Sequence, residues 1–488
     1  MTSAATDEPI ANFIGGEWLA ATGTDSLPVK DPSTDEVLHR VPLSSSADVD
    51  RAVRAAREAF PAWRETPAVE RARVLFRLKA LLERHIDDLA ENMTREHGKI
   101  VAESKGEVRR GIENVEHACG IPTLMMGTTL EDVASGIDCE SIRQPLGVFA
   151  GITPYNFPVM IPLWFWPYAV ATGNTFVLKP SEQDPLTHQR IAQLASDAGL
   201  PPGVLNVVHG DRTAADAIVD HPDIVGISFV GSSDIARTVY ARAAASGKRV
   251  QALGGAKNHM VVFPDADYDR ASETVLSSIF GSTGQRCLAG SVVVSIDEAY
   301  EPMRERVLAG AADLTLGHGL DPDTDMGPVI SERHAARIRR FIDRGVQEGA
   351  KLLLDGRDAS VPSYPKGHWA GPTVFDNVEP TMAVGGEEIF GPVVSLTRAA
   401  SLEQALDIIH ANRYGNATSI FTTSGKTARE FRYRAGISMI GVNIGVVAPM
   451  AFFPFGGSRG SFYGDLKAQG HDAIEFFTDK RVVISTWR

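Results

Sequence analysis

The run Gly147-Val148-Phe149-Ala150-Gly151-Ile152 is apolar from end to end, and Thr153-Pro154-Tyr155-Asn156-Phe157-Pro158 interrupts it at once. A short apolar run stopped by prolines has the pattern of a strand buried on both faces. The same unit recurs downstream. Residues 175–178, 204–209 and 226–229 are short apolar runs, each followed by a Gly, Pro or Ser turn and then by a helical pattern. Strand, turn and helix repeated in this order predict an α/β fold, with a parallel sheet and crossover helices. Upstream, residues 48–84 read as two amphipathic helices broken near Pro67. After Gly254 the alternation restarts, with strand-like residues 260–263, a helical pattern from Tyr268 and a strand-like run at 291–296. A second α/β unit is therefore expected to begin near Gly254-Gly255.

A chain of 488 residues fits about two to four domains. The net charge of −13 argues against nucleic acid or an anionic membrane as the main partner. It leaves room for a small anionic substrate held by a local pair of arginines. The first 20 residues have neither a basic start nor an apolar run, so they do not read as a secretory signal. Residues 159–178 are uncharged and of membrane-spanning length, but Pro162, Pro167, Gly173 and Asn174 punctuate them. A buried helix, a turn and a strand are expected there. The cysteines are Cys119, Cys139 and Cys287, with no CxxC or HExxH. Neither a disulfide framework nor a metal site is indicated, and a reducing, cytoplasmic setting fits. Residues 128–143 and 478–487 are strand-like in composition. Both can pair with another subunit, or form a surface hairpin and a frayed tail.

Several motifs carry chemistry. Cys287 ends the run Gly281-Ser282-Thr283-Gly284-Gln285-Arg286-Cys287, whose small residues let backbone and sulfur approach a ligand. Arg286 beside it favours the thiolate. Asn156, fixed between two prolines, is a preorganised donor for the oxyanion of a tetrahedral intermediate, with the Cys287 N–H as a second donor. Lys179 and Glu182 follow the strand at 175–178, placing a cation and a carboxylate where a nucleotide would bind. Gly231-Ser232-Ser233 follows a strand and opens a helix, whose free N–H groups suit a pyrophosphate, although GxGxxG is lacking. Glu388 and Phe390, in Glu387-Glu388-Ile389-Phe390-Gly391-Pro392, can hold a ribose and wall a nicotinamide. Each motif alone is weak: an inert cysteine, an Asn turn, a solvated ion pair, a helix cap and an acidic surface turn would explain them one by one.

Together, in this order and spacing, they resemble the aldehyde dehydrogenase superfamily from about Ile14 to the end of the chain. The resemblance implies a Rossmann-like NAD-binding domain (1–127 and 144–253) and an α/β catalytic domain (254–450). It also implies a β-hairpin oligomerisation arm (128–143 and 470–488), and with it a homodimer or homotetramer. It implies Cys287 as nucleophile and Asn156 as oxyanion donor. Lys179 and Glu182 would bind the adenosine ribose, Ser232 the pyrophosphate and Glu388 the nicotinamide ribose. Thr153, Tyr155, Gln183 and Gly254 would line the same cofactor cleft. Ala236 stands where the usual helix-opening pattern has its last Gly, a mild departure.

A larger departure concerns how the acyl group is released. Hydrolytic members carry a Glu before Leu-Gly-Gly that activates water. This chain reads Gln251-Ala252-Leu253-Gly254-Gly255-Ala256-Lys257-Asn258-His259, with Ala252 or Leu253 at that position. No Asp or Glu lies between Asp234 and Asp265. A thiol acceptor needs no strong base, and coenzyme A is the obvious cellular thiol. The segments 109–116, 255–259 and 449–455, with Arg286, are similar to the CoA-acylating methylmalonate- and malonate-semialdehyde dehydrogenase subgroup. That likeness implies Arg110 and Arg286 as ligands of a substrate carboxylate. The rival expectations are a hydrolytic aldehyde dehydrogenase with a relocated base and a catalytically silent protein on the same scaffold.

Overall fold

The computed structural model describes residues 8–487. The Val148–Ile152 strand lies inside an eight-stranded sheet. Thr175–Lys179 and Leu205–Val207 extend the sheet on one side of it, both parallel. The chain then returns to the other side, where Ile224–Val230 and Arg249–Leu253 are laid down, again parallel. The strand order therefore reverses between Val148–Ile152 and Ile224–Val230. The crevice at the carboxyl ends of two such strands is where ligands bind in open α/β sheets. Here those ends carry Thr153–Asn156 and Gly231-Ser232.

The second large sheet has seven strands: Lys351–Leu354, Thr373–Asp376, Val393–Ala399, Val292–Ile296, His259–Val262, Ala417–Phe421 and Met439–Val442, in that spatial order. All its pairings are parallel except the first. The inner strands of both sheets are buried and rich in Val, Ile, Leu and Phe, because helices cover both faces. Residues 48–84 form the helices Ser46–Glu65 and Ala68–Arg84, separated at Pro67. Ser45 and Asp48 close a capping box on the first.

Two local outcomes differ from the expectations, and a third arises where the sequence suggested nothing. The apolar segment from 159 is two short helices, Met160–Leu163 and Trp166–Ala171, not one. Pro162 and Pro167 set this break, because proline tolerates the first turn of a helix but not its interior. Residues 470–477, expected in the arm, form the helix Gly470–Phe477. Its Phe476 and Phe477 rings pack against Phe149, with centroids 5.6 and 4.9 Å away. The three-stranded sheet therefore draws only on Thr128–Ala134, Ile137–Pro145 and Thr478–Thr486. Finally, Phe462–Tyr463 pairs antiparallel with Leu253 and Ala252, so the chain after the second sheet recrosses to the edge of the first. On the small sheet Leu130, Val482 and Ile484 are 64–70% exposed, an apolar surface with no cover in the single chain.

Candidate active site

Cys287 is delivered by a strained turn. Ser282, Thr283 and Gly284 have φ of 49°, 56° and 69°, three successive left-handed residues. Only the glycine adopts this region freely, so the two side-chain-bearing residues must be held there by their surroundings. Glu103 accepts the Ser282 N–H at 2.8 Å, and the Thr283 hydroxyl donates to the Gly327 carbonyl at 2.8 Å. Beyond the turn, the Cys287 carbonyl accepts from Asn258 Nδ2 at 2.9 Å and from Asn416 Nδ2 at 2.8 Å. The sulfur-bearing residue is thus tied to the His259–Val262 and Ala417–Phe421 strands of the second sheet.

Asn156 arrives from the first sheet. Its Nδ2 donates to the Gln285 carbonyl at 3.1 Å, two residues before Cys287. A primary amide has two N–H donors, so one remains for a ligand oxygen. The loop carrying Asn156 is fastened by a buried ion pair. Lys99 Nζ lies 2.6 Å from Glu107 Oε2 and donates to the Asn156 carbonyl at 2.8 Å. Glu107 Oε1 accepts from the Val159 and Met160 N–H groups at 2.8 and 3.1 Å.

Two cavities meet at Cys287. One, of about 460 Å³, is walled by Phe157, Trp164, Phe455, Arg110, Arg286 and Glu103 among others. The second, of about 280 Å³, lies at the strand reversal and is lined by Tyr155, Asn156, Ser232, Gly254, Glu388 and Phe390 among others. The Phe390 ring stands edge-on to Tyr155, centroids 6.0 Å apart. Glu388 Oε1 accepts the Ala256 N–H at 2.8 Å. There is no room for a Cβ at Gly254, which would sit 2.7 Å from Ser233 Oγ. Lys179 pairs with Glu182 at 3.0 Å, and the Thr153 N–H donates to the Lys179 carbonyl at 3.1 Å. These three residues stand beside the second cavity rather than on its wall, and Gln183 lines a neighbouring one with Tyr155.

Arg286 favours the Cys287 thiolate, as expected, but larger effects outweigh it. Burial and then Glu388 push the Cys287 thiol up to about 12, against a weaker opposing pull from Arg286. The thiol form dominates at neutral pH, so Arg286 does not by itself make the thiolate. Arg286 is already engaged: its Nη2 lies 2.8 Å from Glu103. Arg110 likewise lies 2.5 Å from Glu113 and donates to the Pro449 carbonyl. Burial raises Glu388 to about 7 and lowers Lys257 to about 7. Ala252 and Leu253 are buried apolar residues of the Arg249–Leu253 strand.

Residues 18–483 match the aldehyde dehydrogenase family. The chain belongs to that family. It is 50% identical over 476 residues to malonate-semialdehyde dehydrogenase 1 of Geobacillus kaustophilus, covering 98% of this chain and 97% of that one. Against the malonate-semialdehyde dehydrogenase of Halalkalibacterium halodurans it is 47% identical over the full length of both. The crystal structure of methylmalonate-semialdehyde dehydrogenase from Oceanimonas doudoroffii superposes with a TM-score of 0.97 at 46% identity, covering 98% of each chain. A Sinorhizobium meliloti 1021 structure complexed with NAD gives 0.97 at 44% identity over 99% of each.

Besides Glu103, four members of this site were missed in the sequence. Lys99, Glu107, Asn258 and Asn416 hold the Asn156 loop and the Cys287 backbone. A signal existed for Glu107. In the helix Val101–Cys119 it occupies the buried face with Ser104, Val108, Gly111, Ile112 and Val115. A carboxylate on an apolar face needs a partner. Asn416 had no local signal, because its contact with Cys287 spans 129 positions.

Proposed function

We propose that this aldehyde dehydrogenase oxidises malonate semialdehyde, methylmalonate semialdehyde or both, using NAD, and transfers the decarboxylated acyl group to CoA. The observation that carries this is the pair Arg110 and Arg286 on the wall of the cavity that ends at Cys287. The relatives named for these semialdehydes support it. The second cavity fits a dinucleotide: a helix start at Ser232, the crowded Gly254 and, just beyond its wall, the buried Thr153 hydroxyl, which lacks a partner among the described residues. Ser232, Glu388 and Phe390 would hold NAD there, with Lys179 and Glu182 at the adenosine ribose. Once bound, NAD supplies the hydride acceptor.

The residues then act in sequence. The Cys287 thiol loses its proton to water in the open cavity, and the thiolate sulfur attacks the aldehyde carbon. The free Asn156 N–H and the Cys287 N–H receive the oxygen that becomes negative; one such donor is worth roughly 10²–10³ in rate. Loss of hydride leaves a thioester whose carbonyl lies β to the substrate carboxylate. Arg110 and Arg286 hold that carboxylate, at about 1.5–3 kcal/mol per charge-assisted bond. Breaking the bond to the carboxylate carbon releases carbon dioxide, and the electron pair moves onto the thioester oxygen at Asn156. Protonation at carbon gives the shortened acyl thioester, which the CoA thiolate displaces from Cys287.

A second reading is favoured by Glu388, a half-buried carboxyl raised to about 7 that lines the same cavity as Cys287. It would act as a relocated base for hydrolysis. Mass spectrometry of the products with each semialdehyde, with and without CoA, separates the two. Acetyl- or propionyl-CoA, formed only when CoA is present, is expected. Full-rate NADH and free acid without CoA would sink the acyl-transfer reading. No helix among the described residues is long and apolar enough to cross a membrane. A cytoplasmic homodimer or homotetramer, joined through the three-stranded sheet, completes the proposal.

A further inference from the structure

On the helix Glu332–Gln347, Arg333, Arg337 and Arg340 recur at a spacing of four and then three residues, which puts them on one face. All three line a cavity of about 290 Å³. Their states differ. Arg337 is committed to the protein: it donates to the Glu388 and Ile389 carbonyls and stacks on Phe341 at 4.9 Å. Arg333 and Arg340 are exposed, and among the described residues neither enters a salt bridge. Nearby Arg339 and Arg344 do, with Glu332, Glu348 and Glu387. Two unpaired guanidinium groups in one concavity stand out in a chain of net charge −13. The concavity is not isolated. Tyr155, His334 and Arg337 line both it and the cavity containing Cys287, so the two share a wall.

We propose that Arg333 and Arg340 bind the phosphate groups at the 3′-phospho-ADP end of CoA, while its thiol arm runs past Tyr155 and His334 toward Cys287. This rests on the thiol-acceptor chemistry proposed above. The chemistry suits the ligand: guanidinium forks pair bidentately with phosphate oxygens, and an exposed, unpaired Arg loses no internal partner on binding. A free 2′-phosphate on a dinucleotide offers the same chemistry, so the test must separate the two sources.

The variant is R333Q/R340Q, both at exposed positions. Adenosine 3′,5′-bisphosphate is titrated calorimetrically onto wild type and variant, with no turnover required. Steady-state KM is then measured for CoA, dephospho-CoA, NAD and NADP. The variant is expected to weaken bisphosphate binding about tenfold and to raise the KM for CoA about tenfold, toward that for dephospho-CoA. The KM for NAD should move less than about twofold, a change worth no more than a few tenths of a kcal/mol. Equal bisphosphate binding by both proteins overturns the assignment, even with CoA-dependent turnover intact. So does a loss confined to NADP. If wild type instead releases free acid without CoA while bisphosphate binding still needs both arginines, the acyl-transfer reading fails and the phosphate site stands.

Discussion

Lys99 and Glu107 meet at 2.6 Å with neither side chain exposed, whereas Arg286 and Glu103 meet at 2.8 Å with 16% and 18% of their side chains in solvent. Both pairs brace the same neighbourhood. The first holds the Asn156 loop and the second the turn before Cys287. Their settings differ because their tasks differ. Lys99 and Glu107 spend their hydrogen bonds on each other and on backbone groups of one loop; Glu107 borders the same cavity, but neither side chain exposes surface to solvent. Arg286 and Glu103 line an open cavity with their side chains partly in solvent, as does Arg110, so a substrate carboxylate can compete for the same guanidinium groups. A sealed pair fixes geometry; an accessible pair can exchange.

The largest expected effect tests the sealed pair. Lys99→Met leaves Glu107 buried without its cation and should lower unfolding free energy by about 3–5 kcal/mol in urea titrations. Lys99→Met/Glu107→Leu should recover part of that loss. An equal cost for Arg286→Met would erase the contrast between the two pairs. Asn156→Ala comes next. It removes the proposed oxyanion donor, so kcat should fall about 10²–10³-fold in stopped-flow measurements of NADH formation. Unaltered kcat would move the oxyanion site elsewhere.

The arginines come third. Arg110→Ala should cost malonate semialdehyde about 10–100-fold in kcat/KM and leave propanal within a few-fold. Equal losses on both aldehydes would remove Arg110 from the carboxylate site. Smaller again, per pH unit, is the titration of Cys287. Because burial places its thiol at about 12, the thiolate fraction keeps rising across neutral and mildly alkaline pH. Iodoacetamide labelling should accelerate about tenfold per pH unit between pH 7 and 10. A plateau near an ordinary thiol value would show that another group stabilises the thiolate.

The same contrast explains what the sequence could reveal. The parallel strands were legible because burial on both faces makes continuous apolar runs, as in 147–152 and 226–229. The two-residue strand Phe462–Tyr463 was not, because only its pairing with Leu253 and Ala252 defines it. Cys287, Asn156 and Glu388 were legible as motif residues. Their supports were not: Asn258 and Asn416 act on a carbonyl far away in sequence. Arg286 was legible in direction but not in weight: its pull on Cys287 is real and smaller than the effect of burial. Adjacency to Cys287 suggested thiolate stabilisation, while its ion pair is with Glu103, 183 positions away. The row Arg333, Arg337 and Arg340 drew no reading from the sequence, because only the cavity shows that it faces anything.

The smallest effect is the most discriminating for the exchangeable pair. Glu103 both holds Arg286 and accepts the Ser282 N–H. Glu103→Gln keeps an oxygen for Ser282 and removes the charge that competes for Arg286. If substrate carboxylate displaces Glu103, the variant should bind semialdehyde more tightly, lowering its KM by about two- to fivefold, a gain typical of one partly exposed ion pair. The kcat should change less, because the Ser282 turn is retained. Propanal has no carboxylate, so its KM should not follow. A KM that rises for both aldehydes would mean that Glu103 serves only to hold the turn. The Arg286 pair would then be as fixed as the buried one, and the distinction between sealed and exchangeable charges around Cys287 would fall.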